Sequence, residues 1–301
     1  MPTTTSTTSW HDFYQTAAQF RDLAPWRWFY DSQIFGVQHP ETGEIGWCCI
    51  MGRAGEHFAL AVYRGAAGLD SFYRLAGAEE LENPNNPEAF NNMVRQNCWM
   101  VSFEDAQLVS PEQKKHLKAL GLSFRGAGQW IVAQSYDPGL HPWLMAEAEL
   151  PWVAQCLEQA MEVARRAKND PDLLDRENLL VRTPQRLPDG SLRWEDRYPD
   201  DSELPQAPLP EAVVPSKAFV EKVRFLPQHP GALALANFFL LSAIQENKSQ
   251  RPWHPCLLLA IEPGSGMIVA QETVAYPDLP AKLEKFLLRV FKTIEGKPRQ
   301  I

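Results

Sequence analysis

The stretch from Ile34 to Tyr63 constrains this chain more than any other, because it holds three apolar runs separated by two turn signals. It reads IFGVQHP, ETGE, IGWCCIMG, RAGEH and FALAVY. Each run is short, rich in aliphatic and aromatic side chains, and bounded by Gly or Pro, which is the pattern of strands joined by tight turns. The spacing predicts a three-stranded antiparallel meander. Its middle run is apolar at nearly every position, so both faces of that strand must be covered by neighbouring elements.

A chain of 301 residues exceeds what one hydrophobic core usually serves, so two domains are expected. Eight of the ten tryptophans lie at or before Trp152, which puts the aromatic weight in the N-terminal half. The formal charge of −8 argues against non-specific attraction to nucleic acid or to an anionic membrane surface. Cys48, Cys49, Cys98, Cys156 and Cys256 are scattered without CxxC spacing. That pattern fits reduced thiols in a cytoplasmic protein and predicts no disulfide. The opening MPTTTSTTS has neither basic residues nor an apolar run, so it reads as a frayed tail rather than a targeting segment. The longest nearly apolar run, Gly231 to Ile244, is too short for a membrane helix, and no membrane span is expected.

Helix signals punctuate the rest. Ser9 with Asp12 forms a capping-box pair before Trp10, Phe13, Tyr14, Ala17 and Phe20, and Pro25 stops the helix. A short helix is predicted from about Asp70 to Gly77, and another after Asn86-Pro87 as far as Arg95. Ser110-Pro111-Glu112-Gln113 is a strong N-terminal signal, with Gln113 placed to close a second box. Asn97–Phe103 and Gln129–Gln134 read as strands, and Leu150 to Lys168 carries one long apolar helical stripe. Beyond Asn169 the composition turns acidic and proline-rich, marking a connection. A hairpin around Asp189-Gly190, built from Asn178–Pro184 and Ser191–Tyr198, is assigned to the second domain, with a flexible segment at Pro199–Pro215. A second hairpin pairs Cys256–Ile261 with Met267–Thr273, and Leu283, Phe286, Leu287, Val290 and Phe291 define a final helix. Residues 232–245 fit a helix or a strand. The expected architecture is therefore α+β, with two domains that each pack helices on a mainly antiparallel sheet. The first, aromatic-rich domain spans 10–169, a connection spans 170–177, and the second domain spans 178–301.

The segment LAPWRWFYDSQIFGVQHPETGEIGWCCIMG, followed by GEHFALAVYRGAAGL and YDPGLHPW, resembles an uncharacterised family of bacterial proteins. The hairpin RPWHPCLLLAIEPGSGMIV is similar to a second unassigned domain that accompanies it. The resemblance covers about residues 25–168 and, less closely, 178–295. It implies a bacterial, cytoplasmic, two-domain protein, and it carries no activity and no functional residues with it.

Candidate chemistry comes from three groups of residues. Glu104 and Asp105 follow a strand, and Glu262 and Glu272 sit at strand ends. Gathered carboxylates of this kind would suit a metal-dependent hydrolase, possibly a nuclease, although acidic residues also favour turns. His141 and His254 occupy matching places in LHPWLMA and WHPCLLLA. They read either as ligand-binding or acid–base groups, or as punctuation before proline. Trp26, Trp28 and Tyr30 would line a ligand groove or, as aromatic residues more often do, fill a core. Cys48 and Cys49 are adjacent on a strand and must point to opposite faces, so they read as small core residues. The chain contains no nucleophile elbow, phosphate loop, dinucleotide fingerprint or paired-histidine metal spacing, so no cofactor and no metal is assigned. The function expected is that of a non-enzymatic binding or regulatory protein whose partner is a protein or a small molecule. The metal-dependent hydrolase is the alternative.

Overall fold

A computed structural model describes residues 9–79, 87–204, 206, 215–248 and 250–300. The Asn86 cap, most of the 1–9 tail and the greater part of Pro199–Pro215 lie outside the described residues. In chain order the first elements are α1 (Trp10–Leu23), β1 (Ile34–Gln38), β2 (Ile45–Met51), β3 (Ala59–Arg64), α2 (Gly65–Glu79), α3 (Pro87–Val94), β4 (Cys98–Glu104) and α4 (Pro111–Ala119). Then come β5 (Trp130–Tyr136), β6 (Trp143–Leu144), α5 (Leu150–Ala167), β7 (Val181–Arg186), β8 (Leu192–Arg197) and α6 (Lys217–Arg224). The chain closes with β9 (Gln228–Ala232), β10 (Ala234–Phe239), β11 (Cys256–Glu262), β12 (Met267–Val274), α7 (Leu279–Thr293) and β13 (Lys297–Gln300). The described residues of 1–76, 97–136 and 142–207 form one compact unit, and those of 77–96, 137–141 and 208–301 form a second. Both are α+β units with mostly antiparallel sheets.

The first unit is built on an eight-stranded sheet in the order β6-β5-β4-β3-β2-β1-β7-β8. The meander β1-β2-β3 sits inside it, with Phe35 opposite Cys48 and Trp47 opposite Tyr63. The unbroken apolar run of β2 follows from its position, since its residues alternate into two cores. Cys48 and Ile50 join Phe13, Ala17 and Phe20 of α1 and Val153, Leu157 and Ala160 of α5. Trp47 and Cys49 face the other way, onto Ala61, Tyr63 and Phe72. Period-2 alternation thus feeds opposite layers and leaves no position of β2 for a polar side chain. All five cysteines are buried free thiols. Burial pushes the Cys156 thiol well up, and the neighbouring Cys48 adds to the shift.

Local signals and structure agree at α1, where the Asp12 N–H donates to Ser9 Oγ and the Ser9 N–H to the Asp12 carboxylate, both at 3.2 Å. At α4 the Ser110 cap forms, with the Gln113 N–H at 3.2 Å, but the box does not close. The Gln113 side-chain amide is instead turned into the protein and buried, and its nitrogen has no hydrogen-bond partner among the described residues. α2 starts five residues earlier than the sequence suggests and runs through Gly77. Gly68 in its first turn permits a close approach, since a Cβ there would sit 2.6 Å from the Tyr63 carbonyl carbon.

The hairpin β7-β8 departs from the sequence reading. It lies in the first sheet and not in the second domain, because β7 pairs in parallel with β1 through Gly36 opposite Val181 and Val37 opposite Arg182. Parallel pairing joins distant segments through a crossover and leaves no turn signal to read. The hairpin is fastened by Arg182, which is buried, donates to Gln159 Oε1 at 3.1 Å and pairs with Asp196.

The second unit carries a three-stranded antiparallel sheet, β10-β11-β12, and a parallel pair, β9 with β13. Its core joins Phe239, Cys256, Leu258, Ala260 and Val274 to Phe286, Val290 and Phe291 of α7. Residues 234–239 resolve to a strand, the edge strand β10, exposed at four of its six positions. Pairing along its whole length to β11 holds it extended where its own pattern does not decide. Among the described residues no helix is long and apolar enough to cross a membrane.

Candidate functional site

Within the second unit, the start of β12 and the end of α7 border an open cleft of about 540 Å³, lined by His229, Leu233, Glu262, Met267, Ile268, Val269, Thr293, Ile294 and Glu295. Its apolar wall depends on a bulge. Ala260 pairs with Ala270 but Ile261 pairs with Ile268, so Val269 is an extra residue on β12. An extra residue bends the strand and re-aims the side chains beside it, and here three consecutive apolar residues border one cleft. Met267 and Ile268 are 60% and 53% exposed, an unusual exposure for two large apolar side chains in sequence beside a concave surface.

The opposite wall is the end of α7. Gly296 N–H reaches the Phe291 carbonyl at 2.9 Å and Glu295 N–H the Lys292 carbonyl at 3.2 Å, the paired bonds of a Schellman cap. The left-handed position of this cap usually falls to glycine, but here Glu295 takes it at φ 54°. Gly296 follows because a Cβ there would meet the Pro227 carbonyl oxygen at 2.7 Å. The negative end of the α7 dipole therefore opens on the cleft beside two carboxylates, Glu295 and Glu262. Glu262 accepts a hydrogen bond from Ser265 Oγ in the β11-β12 turn. His229 Nδ1 accepts the Gly231 N–H at 3.1 Å. Among the described residues lining the cleft there is no lysine or arginine.

The other sequence candidates are distributed elsewhere. In the first unit Glu104 lies 3.5 Å from His57 Nδ1, and the Asp105 carboxylate accepts the Gly128 N–H at 2.7 Å. In the second unit Glu272 pairs with Arg289 at 2.9 Å. Among the described residues no three His, Cys, Asp or Glu side chains are grouped to hold a metal ion. Trp26 packs on Phe58, Phe103 and Phe20 at centroid distances of 5.0, 5.5 and 6.2 Å, and the Trp28 indole N–H donates to the Ala164 carbonyl at 3.0 Å. Both indoles are tied into the first core. Tyr30 is exposed, with the Arg53 guanidinium 4.8 Å above its ring.

His141 and His254 do come together within the second unit, with ring centroids 5.8 Å apart. The two His-Pro segments are cross-bonded through their backbones, His141 N–H to the Pro252 carbonyl at 2.9 Å and His254 N–H to the Gly139 carbonyl at 2.8 Å. Phe90 stands edge-on to His254, whose Nδ1 lies 3.3 Å from the Leu240 carbonyl. Burial lowers the pKa of His141, and His254 and Arg251 lower it further. The similar sequence patterns around these histidines thus mark two segments that pair.

Of the cleft residues, sequence reasoning singled out Glu262 alone as a site candidate. Met267, Ile268 and Val269 read there as one side of a hairpin, and neither the bulge nor the left-handed Glu295 leaves a sequence signal.

Fold and site together define a two-domain α+β protein with an open, acidic-rimmed apolar cleft in its second unit. The chain belongs to a family defined by a domain of unknown function, DUF7309, whose model matches residues 10–182. A second domain of unknown function, DUF6930, matches residues 220–301 and so contains the cleft. No curated protein matches the chain. No solved structure matches it either.

Proposed function

We propose that this chain is a non-enzymatic binding protein of the bacterial cytoplasm, and that the cleft of its second unit takes the ligand. The observation that carries this reading is the concave apolar wall of Met267, Ile268 and Val269, left open to solvent within a frame of paired strands and a capped helix. A volume of about 540 Å³ suits a small organic molecule, and mostly apolar pockets with a few placed polar groups are where such molecules bind. Free, buried cysteines support the reduced setting. The carboxylates that would serve a hydrolase are engaged locally, Glu104 with His57, Asp105 with Gly128 and Glu262 with Ser265, which favours binding over metal-assisted hydrolysis.

A neutral, environment-sensitive dye such as N-phenyl-1-naphthylamine tests the reading. Titration should give one saturable site per chain, and Ile268→Glu should weaken it by about tenfold, a loss of about 1.4 kcal/mol of apolar contact. Ile268 is half exposed, so the variant should keep the wild-type melting temperature. Absence of saturable binding, or equal binding by a folded Ile268→Glu variant, would remove the cleft as the site.

A further inference from the structure

The charge around the cleft specifies its ligand further. Two of the lining residues are carboxylates, Glu262 at the end of β11 and Glu295 at the end of α7, and they stand on different elements that border the same space. The end of α7 adds the partial negative charge of its carbonyls. His229 borders the same space, with its Nδ1 taken up by the Gly231 N–H. Between these groups the wall is hydrocarbon, from Leu233, Met267, Ile268, Val269 and Ile294.

An anion would meet repulsion from both glutamates and from the helix end, and a neutral apolar molecule would gain nothing from the charge at the rim, where Glu262 accepts only the neutral Ser265 hydroxyl. We propose that the cleft selects a small amphiphilic organic cation, an ammonium group carried on a short apolar chain. The chain lies on the Met267–Val269 wall and the ammonium faces Glu262 and Glu295. This assignment rests on the reading of the cleft as the binding site and adds the ligand's charge to it. The left-handed Glu295 fits the same assignment: a carboxylate occupies a backbone position that glycine would take with less strain.

Competition against the bound dye, with the 301-residue chain, separates the two claims. The competitors are octylammonium, octanol and octanoate, which share one chain length and differ in head-group charge. Octylammonium should displace the dye about tenfold more effectively than octanol, as expected for two partly exposed ion pairs acting together. Octanoate should be the poorest of the three. The ammonium preference should shrink as salt is raised, because exposed charges are screened. In the Glu262→Gln/Glu295→Gln double variant the octylammonium-to-octanol ratio should fall close to one, with the thermal melt confirming that the variant folds. Equal displacement by octylammonium and octanol in the wild-type chain would overturn the cation assignment and leave the cleft standing. Persistence of the preference in the double variant would overturn the role of these two glutamates. Failure of the dye itself to bind would overturn both readings together.

Discussion

Replacing Trp47 with alanine is expected to destabilise the first unit by about 3–5 kcal/mol, the range for removing a large aromatic side chain from a core. The indole is fully buried on β2 among Ile45, Cys49, Ala61, Tyr63 and Phe72. Directly across the ladder stands Gly36, and a Cβ there would lie 3.1 Å from Trp47 Cζ3, so β1 leaves the room that the ring fills. The space vacated by the ring cannot close easily. β2 is hydrogen-bonded to β1 on one side and β3 on the other, and the main chain is not free to collapse inward. Trp47→Phe should cost well under half as much. Among the described residues the buried indole N–H has no hydrogen-bond partner, and phenylalanine removes that unsatisfied donor while keeping most of the ring volume. Urea melts of both variants check the prediction, and a loss below about 1 kcal/mol for the alanine variant would contradict the two-sided burial of β2.

What was legible in the sequence follows from how local the cause is. The meander, the 256–273 hairpin and the caps at Ser9 and Ser110 are fixed by residues a few positions apart, and each appears where its pattern places it. The attachment of β7 to β1 is set by contacts between Gly36 and Val181, about half the chain apart. Arg182 gave no sign of burial, because an arginine in a polar, proline-rich stretch looks solvated until its partners on α5 and β8 are seen. The cleft was hidden for a similar reason. A one-residue bulge at Val269 and a left-handed glutamate are backbone events, and a glutamate at position 295 reads from sequence as an ordinary surface residue.

Removing the carboxylate of Asp196 is the second large effect expected. Arg166 donates to Asp196 through two nitrogens at 2.7 and 3.2 Å, and Arg182 binds the same carboxylate from the buried side. Asp196→Ala leaves Arg182, a residue only 7% exposed, without its counter-charge. Breaking a buried pair from one side costs about 3–5 kcal/mol. The Asp196 side chain is 26% exposed, so water can replace part of the interaction and about 2–3 kcal/mol is expected. The effect is pH-dependent with a definite sign. Burial alone raises the Asp196 carboxyl, but Arg166 and Arg182 outweigh it and hold the pKa below the ordinary value. The contribution is therefore fully present above the unfolded carboxyl's pKa of about 4 and is lost as pH falls through the lower folded value. Urea melts of wild type and Asp196→Asn should differ most near neutrality and converge as the solution is acidified below that range. A constant difference across the acid range would mean that the carboxylate's charge contributes nothing to the clamp.

The claim that the second unit binds its ligand at the β12–α7 cleft is tested most directly by methyl NMR, with Met, Ile, Leu and Val labelled and octylammonium titrated in. The expected result is saturable shifts at Met267, Ile268, Val269, Ile294 and Leu233, which line the cleft. Ile34, Ile45 and Ile50, in the cores around the first sheet, should stay unmoved. Shifts centred on those first-unit methyls, or no saturable shift at the cleft, would contradict it.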